Sequence, residues 1–506
     1  MKKFRKALSI LLCLMMLMST CSVILASAAE YDHLPQIYVQ GIGSRKVYDK
    51  TDPDHTSLFY PVDSEGLVEN LKKFPEYAKE AIKNLDPDLM YNCAYNWIWD
   101  TMGKAALDTD GMTSKDKNVV IDPCDLDVDE AQGKYWFNYD SRLDPVDLAH
   151  QLHDYIKLVK AHSGSDKFEL VGSSYGTSVI MAFINEYPEE MAQFDSVLLC
   201  VPSYAGVDFV GELFSGQLTV DPQTLEDFVD VMVGNDDINL ILDILGKSGA
   251  LSAITEAALE PVLYAALMDA VRDLARDLFG TFPSMWSFVQ DEYFYAALEN
   301  IYGKNYNDPD HEYAKLIEKI TYYHENVMVR PHELFDLAEA KGTTMNIISK
   351  YGRPSLPLSE HGNFMSDGLV DLEDATMGAT CSMYRETLPA NYTQAKHTDY
   401  NMISLDRCVD ASTGIRPFNT WYIKGLEHGE KIDNYFNMIN YIVYNNVDVT
   451  TENSPYPQFL ERVGDDIVPL GEAEEKKTTT MIEDLIRLLK RIIELLFGKL
   501  TEIFKK

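Results

Sequence analysis

Positive charge is scarce in this 506-residue chain: 44 lysines and arginines stand against 80 aspartates and glutamates, for a formal net charge of −36. A surface so acidic repels phosphate backbones, which argues against nucleic acid as a partner and fits solubility outside a cell. Cysteine is sparse too, with seven in all. No Cys-x-x-Cys pair and no His/Cys cluster has the spacing that holds zinc, so no metal and no cofactor is expected. Internal repeats are lacking as well. The hydrophobic share, 46%, is that of an ordinary globular protein, and the length suits one large domain carrying a substantial insertion.

The N-terminus reads as an export signal. Lys2, Lys3, Arg5 and Lys6 precede a mostly apolar run from Ala7 to Leu25, and Ala26-Ser27-Ala28 supplies small residues for cleavage. Residues 1–28 are therefore expected to be removed, with the mature protein secreted or held at the cell surface. A retained anchor is the alternative, opposed by Ser19, Thr20 and Ser22 within the run; lipid attachment at Cys21 is another, poorly matched by Thr20 before it. Cys13 and Cys21 leave with the signal. Of the remaining five, Cys93 with Cys124 and Cys381 with Cys408 are candidate disulfides on sequence proximity alone, and an odd thiol remains. Cys200, inside the apolar run Val197–Val201, reads as a small buried hydrophobe.

Short runs rich in β-branched and aromatic residues predict strands at Gln36–Val39, Tyr135–Tyr139, Phe168–Gly172, Ser196–Val201, Met345–Ser349 and Thr420–Lys424. Amphipathic stretches lie between them, including Pro145–Ala161 and Thr177–Glu186. This alternation predicts an α/β class with a mainly parallel sheet covered on both faces. It fails over 205–341, where helical patterns dominate: Thr224–Val233, Ile238–Leu245, Ala250–Phe279 and Glu312–Tyr322. The expected organisation is a core in two parts, 29–204 and 342–453, around a helical cap at 205–341. A polar linker at 454–480 and a C-terminal amphipathic helix at 481–506 follow. Ile482, Leu485, Leu489, Ile492 and Leu496 line one face of that helix. Docking on its own chain, self-association and contact with a membrane surface are the roles it suits, and it is too charged to span a bilayer.

The motif with most chemical content is Gly172-Ser173-Ser174-Tyr175-Gly176, which fits G-x-S-x-G between a predicted strand and a predicted helix. That context turns the strand sharply and leaves the serine side chain exposed at the strand's carboxyl end. Ser174 is the candidate nucleophile. The early strand ends in Gln40-Gly41-Ile42-Gly43, a loop suited to give one backbone N–H to an oxyanion hole; Ile42 and Tyr175 are the candidate donors. The acid and histidine should follow in that order, each after a late strand. Asp367 in Ser366-Asp367-Gly368-Leu369-Val370-Asp371 is the candidate acid, with Asp371 and Asp374 as competitors. Six histidines follow Ser174, at 311, 324, 332, 361, 397 and 428, and only His428 directly follows a predicted late strand.

Several stretches resemble the lecithin:cholesterol acyltransferase-like group of α/β hydrolases. Tyr139-Asp140-Ser141-Arg142 resembles that group's Tyr-Asp-Trp-Arg segment, Asp367-Gly368-Leu369-Val370 its acid motif, and Glu427-His428-Gly429-Glu430 its histidine motif. Phe282-Pro283-Ser284-Met285-Trp286 resembles a segment at the end of its cap. The likeness is patchy but colinear from about Leu34 to Asn445. Gln40, Ser173 and Ser141 depart from it, standing where that group has histidine, histidine and tryptophan. The resemblance implies an α/β-hydrolase fold and a serine hydrolase acting on ester bonds, of lipids above all, with water or another alcohol as acyl acceptor. A secreted peptidase or amidase on the same fold and a catalytically silent extracellular binding protein are the competing functions.

Overall fold

The computed structural model describes residues 33–43, 45–59, 78–113, 118–119, 126–217, 261–356 and 362–472. The export signal, Cys124, the helices predicted at 224–233 and 238–245, His361 and the C-terminal helix lie outside the described residues.

Nine strands form one sheet. In chain order they are β1 (Gln36–Val39), β2 (Val128–Asp129), β3 (Lys134–Phe137), β4 (Phe168–Ser173), β5 (Phe194–Cys200), β6 (Thr344–Tyr351), β7 (Thr420–Lys424), β8 (Phe459–Val463) and β9 (Asp466–Pro469). Across the sheet they run β9-β8-β7-β6-β5-β4-β1-β3-β2. The seven strands from β8 to β3 are parallel, and β9 and β2 add antiparallel edges. The chain is of the α/β class.

Residue alternation explains why both faces are covered. Successive side chains on a strand point to opposite faces. Ile37, Val39, Leu170, Val197, Leu199, Met345 and Ile347 fall in one core cluster. Their chain neighbours Tyr38, Val171, Leu198, Cys200 and Ile348 fall in another, with Trp421 and Ile423. Helices α2 (Pro145–Ser163) and α3 (Tyr175–Glu186) pack into the first cluster, with Leu152, Ile156, Val179 and Phe183. Helix α9 (Asp433–Asn445) covers the second with Tyr435, Met438, Ile439 and Ile442. Helix α1 (Pro87–Met102) is one the sequence pattern did not reveal.

Local chemistry sets the ends of α2. Asp144 accepts from the N–H groups of Val146 at 2.8 Å and Asp147 at 3.3 Å, Pro145 occupies the first turn, and Gly164 closes the helix in the left-handed region at φ +69°. Between β5 and β6 the described chain is mostly helical: α4 (Asp208–Ser215), α5 (Pro261–Asp277), α6 (Asp291–Tyr302), α7 (Ala314–Tyr323) and α8 (Pro331–Glu339). Their apolar faces, including Phe214, Leu263, Phe294, Leu316 and Phe335, join the same continuous core as α2 and α3. No helix among the described residues is long and apolar enough to cross a membrane.

Two expectations are corrected. The stretch expected to be linker from residue 454 supplies the hairpin β8–β9: β8 pairs with β7 and buries Leu460, while its alternate residues face outward and give the segment its polar look. Cys381 and Cys408 do not pair with each other, and Cys200 is a buried free thiol. Cys381 lies opposite Val409 on an antiparallel bridge, so Cys408, the chain neighbour of Val409, projects to the other side.

The approach of α3 to β1 is close enough to test. A Cβ on Gly176 would lie 2.1 Å from the carbonyl oxygen of Val39 and 2.7 Å from that of Gln40. Glycine-to-alanine changes within helices ordinarily stabilise by about 1 kcal/mol. Here Gly176→Ala should destabilise by about 1–3 kcal/mol through overpacking, read from the midpoint of chemical denaturation. An unchanged or raised midpoint would mean the two elements do not meet this tightly.

Candidate functional site

From β1 the chain passes to β3 on one side, and from β4 to β5 on the other, although β1 and β4 are neighbours in the sheet. Their connections therefore leave in opposite directions and open a crevice at the strands' carboxyl ends, where α/β sheets bind ligands. Ser174 stands at the end of β4 beside this crevice. Its φ of +53° and ψ of −127° lie where side-chain-bearing residues rarely go. The turn is held from several directions. The Ser174 N–H donates to the Cys200 carbonyl at 3.0 Å, and the Ser174 carbonyl accepts from the Thr177 N–H at 2.8 Å and its hydroxyl at 2.6 Å.

Three predicted residues, far apart in sequence, meet here. The Ser174 hydroxyl Oγ is 2.9 Å from His428 Nε2. The other ring nitrogen, Nδ1, is 2.7 Å from Asp367 Oδ2. Asp367 Oδ1 accepts from the backbone N–H of Leu369 at 3.0 Å and Val370 at 2.9 Å, so the carboxylate is held by its own tight turn. The His428 N–H donates to the Asp367 carbonyl at 2.9 Å, which locks the two loops together. Asp367 and His428 are both buried. With the carboxylate as acceptor, Nδ1 carries the proton and Nε2 is left to accept from the Ser174 hydroxyl.

The competing residues lie elsewhere. Asp371 and Asp374 converge with Asp208 rather than with His428. His324 is stacked on Phe294 at 3.8 Å and bonded to Asp291, and His311 bonds the Tyr302 carbonyl.

Of the two residues expected to give backbone N–H groups, one adjoins the serine in the chain and the other adjoins a glycine that lies against it. Tyr175 follows Ser174 and opens α3, where N–H groups have no acceptor within the helix. Ile42 follows Gly41, whose added Cβ would lie 3.0 Å from Ser174 Cβ and 3.4 Å from its Oγ. Glycine there lets the β1 loop lie directly against the serine.

Sequence reasoning missed the residues that hold these loops. The Tyr139 hydroxyl donates to the Gln40 carbonyl, and the Ser141 hydroxyl accepts from the Gly43 N–H at 3.3 Å. Both therefore fix the glycine loop after β1. Arg142, fully buried, pairs with Asp140 through two contacts of 2.9 and 2.6 Å and also donates to the Ala105 carbonyl. The Arg142 carbonyl in turn accepts from the Ser284 N–H at 3.3 Å, in the segment that resembles a cap end. A four-residue stretch singled out only by resemblance is thus a buried clamp.

Lys350, on β6, was missed as well. Its ammonium donates to the carbonyls of Glu427 at 2.9 Å, His428 at 3.2 Å and Glu430 at 2.6 Å, and lies 4.7 Å from the ring of Tyr435. Burial pushes its pKa down to about 8, against the opposing pull of Asp367. A lysine inside a strand carries no sequence signal for this role, because the loop it holds comes from far along the chain.

No family model matches the sequence, and no curated protein matches it. A solved structure, described as the crystal structure of the Tle4-Tli4 complex, matches over 64% of this chain and 75% of that chain at 11% identity. Its TM-score is 0.24, a likeness too slight to bear on the fold or activity of this protein.

Proposed function

We propose that the protein is a serine hydrolase of the α/β-hydrolase fold that cleaves carboxylic ester bonds, those of lipids above all, through an acyl-enzyme. The observation that carries this reading is the unbroken hydrogen-bond chain from Ser174 through His428 to Asp367, anchored on a strained strand-to-helix turn. A serine hydroxyl is a weak nucleophile and needs an adjacent base, and the base needs a third group to orient it.

In this reading His428 Nε2 takes the hydroxyl proton as Ser174 Oγ attacks the ester carbonyl carbon. Asp367 keeps the imidazole in the useful tautomer and stabilises the imidazolium. The carbonyl π electrons move to oxygen, and the N–H groups of Tyr175 and Ile42 receive that oxyanion, each such donor being worth on the order of 10²–10³ in rate. Collapse of the tetrahedral intermediate breaks the ester C–O bond, and the alcohol leaves with the proton from His428. Water then repeats the sequence and frees the acid, or a second alcohol, where water is excluded, takes the acyl group away as a new ester. The helical stretch 205–341 serves as the cap that selects the acyl group, and the enzyme works outside the cell after export. The C-terminal helix, 481–506, then serves to hold it to its own chain, to a second copy or to a membrane surface.

Kinetics on p-nitrophenyl esters of short and long acyl chains test this. Ser174→Ala and His428→Ala should abolish turnover in folded protein, and Asp367→Asn should cost about 10⁴ in kcat through the wrong imidazole tautomer. Good cleavage of an aminoacyl amide with poor cleavage of long-chain esters would make the enzyme a peptidase instead.

Lys350 gives a pH-dependent prediction. Below about pH 8 its ammonium has three donors for three carbonyls, and above it the neutral amine has two. The kcat of the parent should therefore fall as pH rises through about 8. Lys350→Met should lower kcat by up to about 100-fold with KM little changed, since misplacing a catalytic group by about 1 Å costs that much. Its profile should lack the limb near pH 8; an identical profile in both would remove Lys350 from the positioning of His428.

A further inference from the structure

Asp371 is an aspartate at the start of a helix that does not cap it. It occupies the cap position of the short helix Leu372–Thr376, yet its side chain makes no bond to that helix's N–H groups. Instead it turns inward. It is only 3% exposed, and neither carboxylate oxygen has a hydrogen-bond partner. Its charged neighbours are two more carboxylates, Asp208 at the start of α4 and Asp374 one turn further on. Burial and these two neighbours push its pKa well above the usual carboxylate range, against a weaker effect of the Ser355 hydroxyl.

A buried carboxylate needs a donor or a cation, because leaving it unpaired costs several kcal/mol in desolvation. One ligand oxygen from each of the three aspartates lies within 4.8 Å of the others. Two oxygens each about 2.4 Å from a calcium ion can be at most about 4.8 Å apart, so one ion fits between them. Gln290 donates through Nε2 to Asp374 Oδ2 at 2.8 Å, while its own Oε1 is buried without a partner. The donors are all oxygen, with no sulfur and no imidazole, which selects a hard cation.

We propose that Asp208, Asp371 and Asp374 bind one hard divalent cation, calcium. The ion would tie α4 to the loop that carries Asp367, four residues before Asp371. The site stands apart from the Ser174 chemistry and does not rest on the esterase reading. It was invisible to a search for His and Cys spacing, since its ligands come from separate parts of the chain and are all carboxylates.

The experiment is calorimetric titration of CaCl2 into the full chain freed of metal by EDTA, with thermal melting in CaCl2 and in EGTA. A chain of net charge −36 gathers cations weakly over its surface, so the expected result is one saturable site above that background. Melting should shift upward with calcium and return in EGTA. Asp371→Asn and Asp374→Asn should each weaken the saturable site by at least about tenfold and lose the melting shift. They should fold, because removing one of three crowded carboxylates relieves repulsion when metal is absent. Asp310→Asn, at an exposed position, should bind like the parent. Weak unsaturable binding only, or a saturable site unchanged in both Asp371→Asn and Asp374→Asn, would overturn the proposal.

Discussion

The close approach of two backbones, the end of β1 and the start of α3, is the constraint on which the rest of the site depends. Gly176 has no room for a Cβ beneath the carbonyls of Val39 and Gln40, and Gly41 lies against Ser174 itself. Only with both glycines can the chain leave β4, turn at φ +53° and enter α3 while the β1 loop stays beside the serine. That contact places the Ser174 hydroxyl against the β1 loop, beside the crevice between oppositely departing connections. The strain of the turn is borne by the parallel strands on either side, which are buried and paired along their length.

Around this turn sits a layer of buried polar groups that hold loops rather than touch a reacting atom. Tyr139, Ser141 and the Asp140–Arg142 pair hold the loops after β1 and β3, and Lys350 holds the histidine loop by three carbonyls. Each buries polarity that would be costly unpaired, and each is paired. The acid loop differs. Asp367 is held by its own backbone, but the same loop continues into Asp371, whose carboxylate has no partner. The three loops that meet at Ser174 are thus fixed by three different kinds of interaction.

Much of this was legible in the residues. The strands β1 and β7 run over the residues their apolar pattern predicts, Gln36–Val39 and Thr420–Lys424, because parallel strands buried on both faces read as unbroken hydrophobic runs. Pro145 marks the start of α2 in the same direct way, and the helix runs two residues past the Ala161 at which its apolar pattern ends. The hairpin β8–β9 was hidden because edge strands are half solvated, and β9 ends in Pro469, as edge strands tolerate. At the site, Ser174 and His428 carried local signals: a motif between strand and helix, and a position after a late strand. Asp367 stood ahead of Asp371 and Asp374 through its Asp-Gly turn, and its 2.7 Å contact with His428 is what sets it apart from them. Lys350 gave no sign, because its partners are backbone carbonyls that any sequence supplies.

The central claim is that Ser174 is an activated nucleophile. A fluorophosphonate forms a covalent bond only with such a serine, so the direct measurement is mass spectrometry of the folded protein after exposure to this reagent. The account predicts a single adduct on the peptide containing Ser174, absent from folded Ser174→Ala. An adduct on a different serine, or none on folded parent protein, would contradict it.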